Sequence, residues 1–448
     1  QRSLVNLERF DEAFKYSLSL EKKNQNNFET NLIIGVYYLK KNNYDLAKKY
    51  FIKLTKNENA TEFTDLLSQS INSWISFPNK SYSEAKKLLD EMPKKFHEIK
   101  KIQNSFLECY YNTKLVEKGF ENLINDKNNN FSRYNYFYVS HLLKKNEEVR
   151  ATDAIDEALK KNPRNLNLNQ LKIDLNSKKF KSQFNCEKLT DVIAEIFYIG
   201  SNILSSQSLY SLSNFYLNLA KYLNPLFISY ETLYAENFYM INNLDKSKKI
   251  YKKIKKNGGA YSWHASKKIS LILIEQEKRT ESLKFIKQVF NNIIDPNIYE
   301  IYDYADFLKN NEKFEESIIY YTKLLKLIDQ NHNLYPKVLE SRGVSYERIS
   351  KWERAEKDLL ESLEIAPDEA YVINYLAYSW IEKGINIDLS LNMLEKANNL
   401  KKNNGYITDS LGWALFKLKK YEKAKKYLEQ AVKIMPSDPV INDHYADS

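Results

Sequence analysis

One stretch near the C-terminus, residues 405–436, reads GYITDSLGWALFKLKKYEKAKKYLEQAVKIMP and decides the fold. Small residues stand at Gly412, at Ala424 twelve positions later and at Ala431 seven positions beyond that, and Pro436 follows. Large apolar residues lie between them at helical spacing, and proline ends a helix because it lacks an N–H donor. The stretch therefore predicts two helices that pack closely at their small residues.

The small residue of the second helix recurs along the chain at a nearly constant period. Most steps are 32 to 38 residues, and one step, from Ala151 to Ser213, is 62. The position is occupied by alanine, serine or glycine at Ala13, Ala47, Ala85, Gly119, Ala151, Ser213, Ser247, Ser282, Ser317, Ala355, Ser390 and Ala424.

A two-helix unit of about 34 residues with this pattern is typical of the tetratricopeptide repeat. The 448 residues include only 9 glycines and 9 prolines, which argues against a sheet-rich fold. We therefore predict an all-α fold, a right-handed α-solenoid of about eleven helical hairpins. Each hairpin is expected to pack only on its neighbours, with the first helices on the concave wall.

The spacing divides the chain into three parts. Residues 1–175 form a predicted N-terminal array with partly degenerate repeats, and residues 189–448 form a C-terminal array whose last repeat is truncated. Between them, residues 176–188 are polar without a periodic apolar face, which predicts a loop or hinge.

Two features weaken the pattern in the N-terminal array. Leu107 and Val139 stand where the first helix should carry a small residue, so the repeats around 96–163 are degenerate. Residues 165–176 follow them as a predicted unpaired helix.

The charge and the cysteines exclude some classes of protein. The net charge is +10, but the lysine pairs fall at predicted helix ends, where they complement helix dipoles, so a nucleic-acid surface is disfavoured. Cys109 and Cys186 are far apart without a CxxC motif, so we predict neither a disulfide nor a zinc site.

No apolar run is long enough for a membrane span. The chain begins without methionine and ends within a repeat, so both termini are expected to be truncated.

No motif predicts catalysis. The five histidines are dispersed, and the chain has no HExxH, GxSxG or glycine-rich phosphate-loop spacing. We therefore expect no enzymatic activity, no catalytic residue, no metal and no cofactor.

The concave stripe of the first helices is the candidate site. Positions 2, 5, 9, 12 and 13 of each repeat lie opposite the packed positions. Their aromatic and polar mixture suits an extended peptide or a partner helix. The alternative is that Tyr299, Tyr371 and Tyr406 simply pack between neighbouring repeats. The predicted partner-binding residues are Tyr299, Tyr302, Arg348, Tyr371, Asn374, Tyr378, Tyr406, Asp409, Trp413 and Phe416.

The C-terminal array also contains longer phrases typical of one family. They read NLAKYLNP (218–225), SRGVSYER (341–348), WERAEKDL (352–359), NYLAYSW (374–380), GYITDSLGWAL (405–415) and PVINDH (439–444). Residues 189–448 thereby resemble a bacterial family of long tetratricopeptide-repeat proteins. Some similar proteins look like envelope lipoproteins that act as adaptors of carboxy-terminal processing proteases. The resemblance implies a binding role and slightly favours the cell envelope (periplasmic face, lipid-anchored), with the cytoplasm as the alternative.

These observations predict a non-catalytic scaffold or adaptor that binds a protein or peptide in its concave groove. Two alternatives stay open: a basic helical-repeat RNA-binding protein, and the regulatory array of an enzyme whose catalytic domain lies outside this span. The sequence predicts neither the partner's identity nor the oligomeric state.

Overall fold

The computed structural model describes residues 1–56 and 61–448. The described residues contain twenty-six α-helices and no β-strand. The helices are α1 (Arg2–Asn6), α2 (Phe10–Lys22), α3 (Phe28–Lys40), α4 (Tyr44–Ile52), α5 (Glu62–Ile75), α6 (Tyr82–Asp90), α7 (His97–Tyr110), α8 (Val116–Ile124), α9 (Asn135–Lys144), α10 (Glu148–Lys161), α11 (Leu166–Asn176), α12 (Leu189–Ser206), α13 (Tyr210–Leu223), α14 (Ser229–Met240), α15 (Leu244–Ile254), α16 (Gly259–Glu275), α17 (Arg279–Asn291), α18 (Ile298–Asn310), α19 (Phe314–Leu327), α20 (Tyr335–Arg348), α21 (Trp352–Ile365), α22 (Ala370–Lys383), α23 (Ile387–Leu400), α24 (Gly405–Lys417), α25 (Tyr421–Ile434) and α26 (Pro439–Asp447).

From α3 to α25 the helices form eleven sequential hairpins, interrupted by α11, which confirms the predicted all-α repeat solenoid. The predicted N-terminal array includes residues 57–60, which lie outside the described residues. Helix ends also fall where the prolines predict them. Pro163, Pro225, Pro367 and Pro436 each stand two residues after the last residue of a helix.

The small residues hold the two helices of a hairpin together. Eleven of the twelve predicted second-helix positions are fully buried, and only Gly119 is partly exposed. Where the residue is serine, its hydroxyl often donates to the carbonyl of the small residue twelve positions earlier. These bonds are Ser213 Oγ to Ser201 O (2.8 Å), Ser247 Oγ to Ala235 O (2.9 Å) and Ser282 Oγ to Ser270 O (2.7 Å).

The first helix approaches the second so closely that some positions accept only glycine. A Cβ atom on Gly412 would lie 2.7 Å from Leu428 Cγ, and one on Gly35 would lie 2.4 Å from the ring of Phe51. A larger residue at either position would push the paired helices apart.

The degenerate region keeps the hairpin architecture. Leu107 and Val139 are fully buried in α7 and α9, so larger side chains fill the place of the missing small residues. The prediction that 165–176 is an unpaired helix is wrong in one respect, because α11 packs against α16. Gln170 Oε1 accepts the backbone N–H of Ala260 at 3.0 Å across this contact.

The chain divides into two compact units, unit 1 (Gln1–Asn292) and unit 2 (Ile293–Ser448). The loop 176–188 lies within unit 1, so the predicted boundary between arrays does not coincide with the boundary between compact units. The reason is that helices on both sides of this loop pack against each other. A division of the repeats themselves into two arrays stays a prediction.

Unit 1 folds back on itself. Helices α1, α3 and α5 pack against α12 and α13, which follow them by several hairpins. The rings of Phe10 and Tyr222 stack with centroids 4.2 Å apart, and Lys221 Nζ lies 2.8 Å from Glu8 Oε1. The expectation that every hairpin packs only on its neighbours is therefore wrong for unit 1.

A buried ion pair crosses the same fold-back. The Arg133 guanidinium donates two hydrogen bonds to the Glu195 carboxylate, at 2.7 and 2.9 Å. Glu195 is 1% exposed, and the guanidinium also lies over the ring of Tyr198 at 3.8 Å from its centroid. Such a pair stabilises the fold only when both partners are present.

A disulfide closes the fold-back covalently, which corrects the prediction that the cysteines stay unpaired. Cys109 on α7 and Cys186 in the loop before α12 are bonded, with Cα atoms 5.9 Å apart and a sequence separation of 77. Sequence spacing predicts no such pairing, because only the return of the chain brings the two residues together.

Unit 2 is built from local contacts between successive helices. Helices α18 to α25 form four hairpins, and α26 packs on α24 and α25. The first helices α18 and α20, α22 and α24, and α24 and α26 also contact each other. A buried pair, Arg342 with Asp358 at 2.7 and 2.8 Å, lies within a single hairpin of this unit.

Candidate functional site

The predicted groove residues lie in parallel stripes on the first helices of unit 2. On α22 the stripe is Tyr371, Asn374 and Tyr378. On α24 it continues with Tyr406, Asp409 and Trp413, followed by Phe416. Residues spaced by three and four share one face of a helix, so each set lines one side. Because α22 and α24 contact each other, the two stripes lie side by side.

Two tyrosines are the exposed part of these stripes. Tyr371 is 52% exposed and Tyr406 is 54% exposed, although both have large apolar rings. The Tyr371 hydroxyl accepts a hydrogen bond from Asn404 Nδ2 at 3.3 Å, just before α24 begins. These two rings therefore present aromatic surface to solvent.

Asn374 lies on the same stripe as Tyr371 and is only half-buried. Its Oδ1 atom is nevertheless shielded from solvent and has no hydrogen-bond partner in the part of the chain that the structure describes. A shielded acceptor without a donor costs free energy. Asn374 is thus a polar group of the stripe whose acceptor is unsatisfied.

Asp409 and Trp413 are covered by another helix and are not exposed to solvent. They are 5% and 9% exposed, because the last helix, α26, lies over them. His444 of α26 stacks on the Trp413 ring at 4.1 Å, and its Nδ1 atom lies 2.8 Å from Asp409 Oδ2. The Phe416 ring also stacks with Trp413, with centroids 5.1 Å apart. This part of the predicted groove is occupied by the chain's own helix.

Burial changes the acid–base properties of the covered part. Burial raises the pKa of Asp409, although the hydrogen bond to His444 acts in the opposite direction. Burial, with the nearby carboxylates Glu382 and Asp409, raises the pKa of Tyr378 to about 12. Tyr378 therefore keeps its phenolic proton at neutral pH and can act as a donor.

The remaining predicted residues lie on α18 and α20. Tyr299 and Tyr302 are half-buried, with ring contacts to His332 (6.3 Å) and Tyr321 (6.1 Å). Arg348 is exposed at the end of α20, with its Nε atom 3.7 Å from Glu347 Oε2. These three side chains do not join the cluster around Trp413.

Sequence reasoning missed one residue of that cluster, His444, which stacks on the Trp413 ring. Glu382 stands at one of the predicted stripe positions and accepts the indole N–H of Trp413 at 2.6 Å. One signal was present for His444, because it stands on the first helix of the next repeat, which packs on α24.

Other kinds of site are not found in the described residues. No group of three or more His, Cys, Asp or Glu side chains is placed to hold a metal ion. Among the same residues, no helix combines the length and the apolar character that a membrane crossing requires.

Two segments match a protein-family model. Residues 28–61 and 409–438 each match the tetratricopeptide repeat. Among curated proteins, the chain is similar to the TPR repeat-containing protein PA4667 of Pseudomonas aeruginosa, with 28% identity over 136 residues. The alignment covers 30% of this chain and 22% of the relative, so the chain spans well under half of that relative's length.

Solved structures of repeat proteins align at low identity. The C-terminal part of a TPR repeat-containing protein from Cytophaga hutchinsonii is 14% identical, with a TM-score of 0.38, and the alignment covers 55% of this chain and 98% of that one. MamA from Desulfovibrio magneticus RS-1 is 16% identical, with a TM-score of 0.32 and coverages of 40% and 97%. YrrB, a TPR protein with an unusual peptide-binding site, is 14% identical, with a TM-score of 0.31 and coverages of 41% and 91%. Values this low say nothing about what the present chain binds.

The two matched segments lie near opposite ends of the chain, and the buried small residues keep the same register between them. The chain therefore contains tetratricopeptide repeats at both of these segments.

Proposed function

We propose that this chain is a non-catalytic protein-interaction scaffold, and that unit 2 binds an extended peptide or a helix of a partner along its first helices. One observation carries the proposal. Tyr371 and Tyr406 expose about half of their side chains on neighbouring helices, beside the unpartnered acceptor of Asn374. Tetratricopeptide repeats, as a class of helical repeat, present such surfaces to other proteins.

The chemistry of these groups suits a polypeptide. Exposed aromatic rings supply large contact areas with little loss of side-chain entropy, which makes them frequent anchors of interfaces. An amide oxygen accepts an N–H from a peptide backbone or from a lysine or arginine side chain. Tyr378 adds a phenolic donor on the same stripe of α22.

The other predicted residues take different places in the proposal. Tyr299, Tyr302 and Arg348 would extend the contact along α18 and α20. Asp409 and Trp413, together with Phe416, would hold α26 in place, since that helix covers Asp409 and Trp413.

Photo-crosslinking tests the proposal. A photoreactive phenylalanine at position 371 or 406 in the full chain is expected to form one adduct with the same partner protein in intact cells. The variant Tyr371→Ala/Tyr406→Ala should weaken the binding of that partner by about tenfold or more, because two anchors are lost.

Tyr16 provides the control, since it is 48% exposed but lies in unit 1. Crosslinking from position 16 should give no such adduct, and Tyr16→Ala should bind as the unchanged protein does. Equal adducts from positions 16 and 371, or unaltered binding by the double variant, would reject the assignment.

We also propose that the chain works in an oxidising compartment, consistent with a role in the cell envelope. The disulfide between Cys109 and Cys186 supports this, because such bonds persist mainly outside the reducing cytosol. Protein from cells quenched with trichloroacetic acid, then denatured and treated with a maleimide of high mass before any reductant, should remain unlabelled. Labelling of both cysteines at that stage would place the chain in a reducing compartment.

A further inference from the structure

Unit 1 contains a cavity at its fold-back. Its volume is about 700 Å³, and its wall includes the ends of α3, α7, α9 and α13 together with the loop before α12. Cavities that hold small molecules in proteins have volumes of about 300–1,000 Å³. The space is therefore large enough for a metabolite-sized ligand.

The apolar part of the lining is rich in aromatic rings. Five phenylalanines contribute to it: Phe106, Phe120, Phe137, Phe180 and Phe184. Four of them are otherwise buried in the core of unit 1, and Phe180 is partly exposed. Such a wall favours an apolar chain or ring, since burial of apolar surface stabilises the bound state.

The cavity is held open by fixed contacts. The disulfide Cys109–Cys186 forms part of its wall and ties the loop to α7. The loop is also bound by Asn224 Nδ2, which donates to Gln183 O at 3.0 Å, and by the backbone N–H of Asn185, which donates to Asp191 Oδ2 at 2.8 Å. Binding would therefore cost little rearrangement.

One polar group in the wall lacks a partner. His141 is 8% exposed, and its Nε2 atom forms no hydrogen bond within the described part of the chain. Burial lowers the pKa of this histidine. The positive charges of Lys145 and Lys144 also lower it, whereas the carboxylates of Glu117 and Glu147 raise it. The neutral imidazole can donate one hydrogen bond to an acceptor in the cavity.

The charges around the cavity are mainly positive. Lys40, Lys144 and Lys188 contribute to the lining, against the single carboxylate of Asp191. Lys144 forms an ion pair with Glu187 at 2.6 Å. Lys40 instead donates to the carbonyl of Leu223 at 3.0 Å. Lys40 and Lys188 form no ion pair among the described residues, so the site retains positive charge.

We propose that this cavity binds a small amphipathic carboxylate, with its apolar part against the phenylalanines and its carboxylate near His141, Lys40 and Lys188. The site is independent of the peptide-binding surface proposed for unit 2. An aromatic wall beside a positive group selects ligands that carry both an apolar segment and a negative charge.

Calorimetric titration of the oxidised full chain with matched probes tests the proposal. Dodecanoate should bind saturably with one molecule per chain. Dodecanol, which has the same chain without charge, should bind about tenfold more weakly, because it lacks the charge-assisted hydrogen bonds. Dodecyltrimethylammonium and butyrate, which lack the negative charge or the apolar chain, should show no binding. Equal binding of the three long-chain probes, or no binding of dodecanoate, would overturn the assignment.

Two exposed lysines of the same loop give a matched pair of variants. Lys188→Glu changes a lining residue and should weaken dodecanoate binding about tenfold, whereas Lys181→Glu changes a residue outside the lining and should have no effect. His141→Leu should weaken dodecanoate binding by a similar factor and leave dodecanol unchanged. Equal losses in Lys188→Glu and Lys181→Glu would show that the attraction is not local and would overturn the site.

Discussion

Unit 1 and unit 2 are built from the same helical hairpin, but they bury different surfaces. In unit 1 the early helices return to α12 and α13, and a disulfide and the pair Arg133–Glu195 join segments far apart in sequence. In unit 2 the buried pair Arg342–Asp358 stays within one hairpin. Closure creates a cavity inside unit 1, whereas the linear arrangement leaves tyrosines exposed on the surface of unit 2. The same repeat thus encloses a cavity in one case and leaves aromatic rings exposed in the other.

The largest expected effect comes from removing one partner of each buried pair. Arg133→Met leaves the Glu195 carboxylate buried without a cation, and Arg342→Met does the same to Asp358. Each should cost about 3–5 kcal/mol of stability. Hydrogen exchange of the full chain, resolved by peptide, should show lost protection on both sides of the fold-back, in α5, α9 and α12, for Arg133→Met.

For Arg342→Met, lost protection should stay within α20, α21 and the adjoining hairpins. An effect of Arg133→Met confined to α9 and α12 would mean that unit 1 is as locally organised as unit 2. The comparison between the units would then fail.

A smaller effect is expected where α26 covers the end of unit 2. Trp413→Ala removes the ring that stacks on His444, at a cost of about 3 kcal/mol. Because α26 packs on the last hairpin and on Tyr378 of α22, hydrogen exchange should increase in α26 and remain unchanged in α18 and α19. Trp413→Phe, which keeps a stacking ring, should retain most of the protection. Loss of protection throughout unit 2 would contradict the local organisation.

The smallest effect concerns a surface pair and depends on pH. Hydrogen bonds from Arg150 (2.6 Å) and Lys145 (2.9 Å) lower the pKa of Glu117 to about 2. Folding therefore favours the ionised carboxylate. Its contribution is complete above the ordinary pKa of 4.5 and is lost as the pH falls toward about 2. Glu117 is partly exposed, so the contribution should be less than about 1 kcal/mol.

Glu117→Gln should lower the melting temperature at pH 6, and the difference from the unchanged protein should shrink as the pH falls below 4.5. Glu429→Gln is the control in unit 2, since Glu429 pairs with Lys433 within one exposed helix. Its effect should be smaller at every pH, because it joins no separate helices. A pH-independent difference for Glu117→Gln would show that its charge does not contribute.

Local features of this fold could be predicted from the sequence. The small residues at Ala47, Ser213 and Ala424 predicted which positions pack, and prolines such as Pro367 predicted where helices end. These features depend on contacts within one hairpin, and a period of about 34 residues reports such contacts directly.

Features that depend on the accumulated rotation of several hairpins could not be predicted. The pairing of Cys109 with Cys186 and the contact of Arg133 with Glu195 arise only because unit 1 returns on itself. The residues of the candidate stripes were predicted from the sequence, but their exposure to solvent was not. Trp413 is covered because the chain continues into α26, whose His444 takes the place that a partner was expected to fill.

The disulfide also determines how the chain responds to mechanical force. Tension applied at the two ends would pass through the Cys109–Cys186 bond and bypass the 77-residue separation between them. Helices α8 to α11 lie inside this covalent loop and would carry no load even after the rest of unit 1 had been pulled apart. The fully extended oxidised chain should therefore be shorter than the reduced chain by about 270 Å, at roughly 3.5 Å per residue.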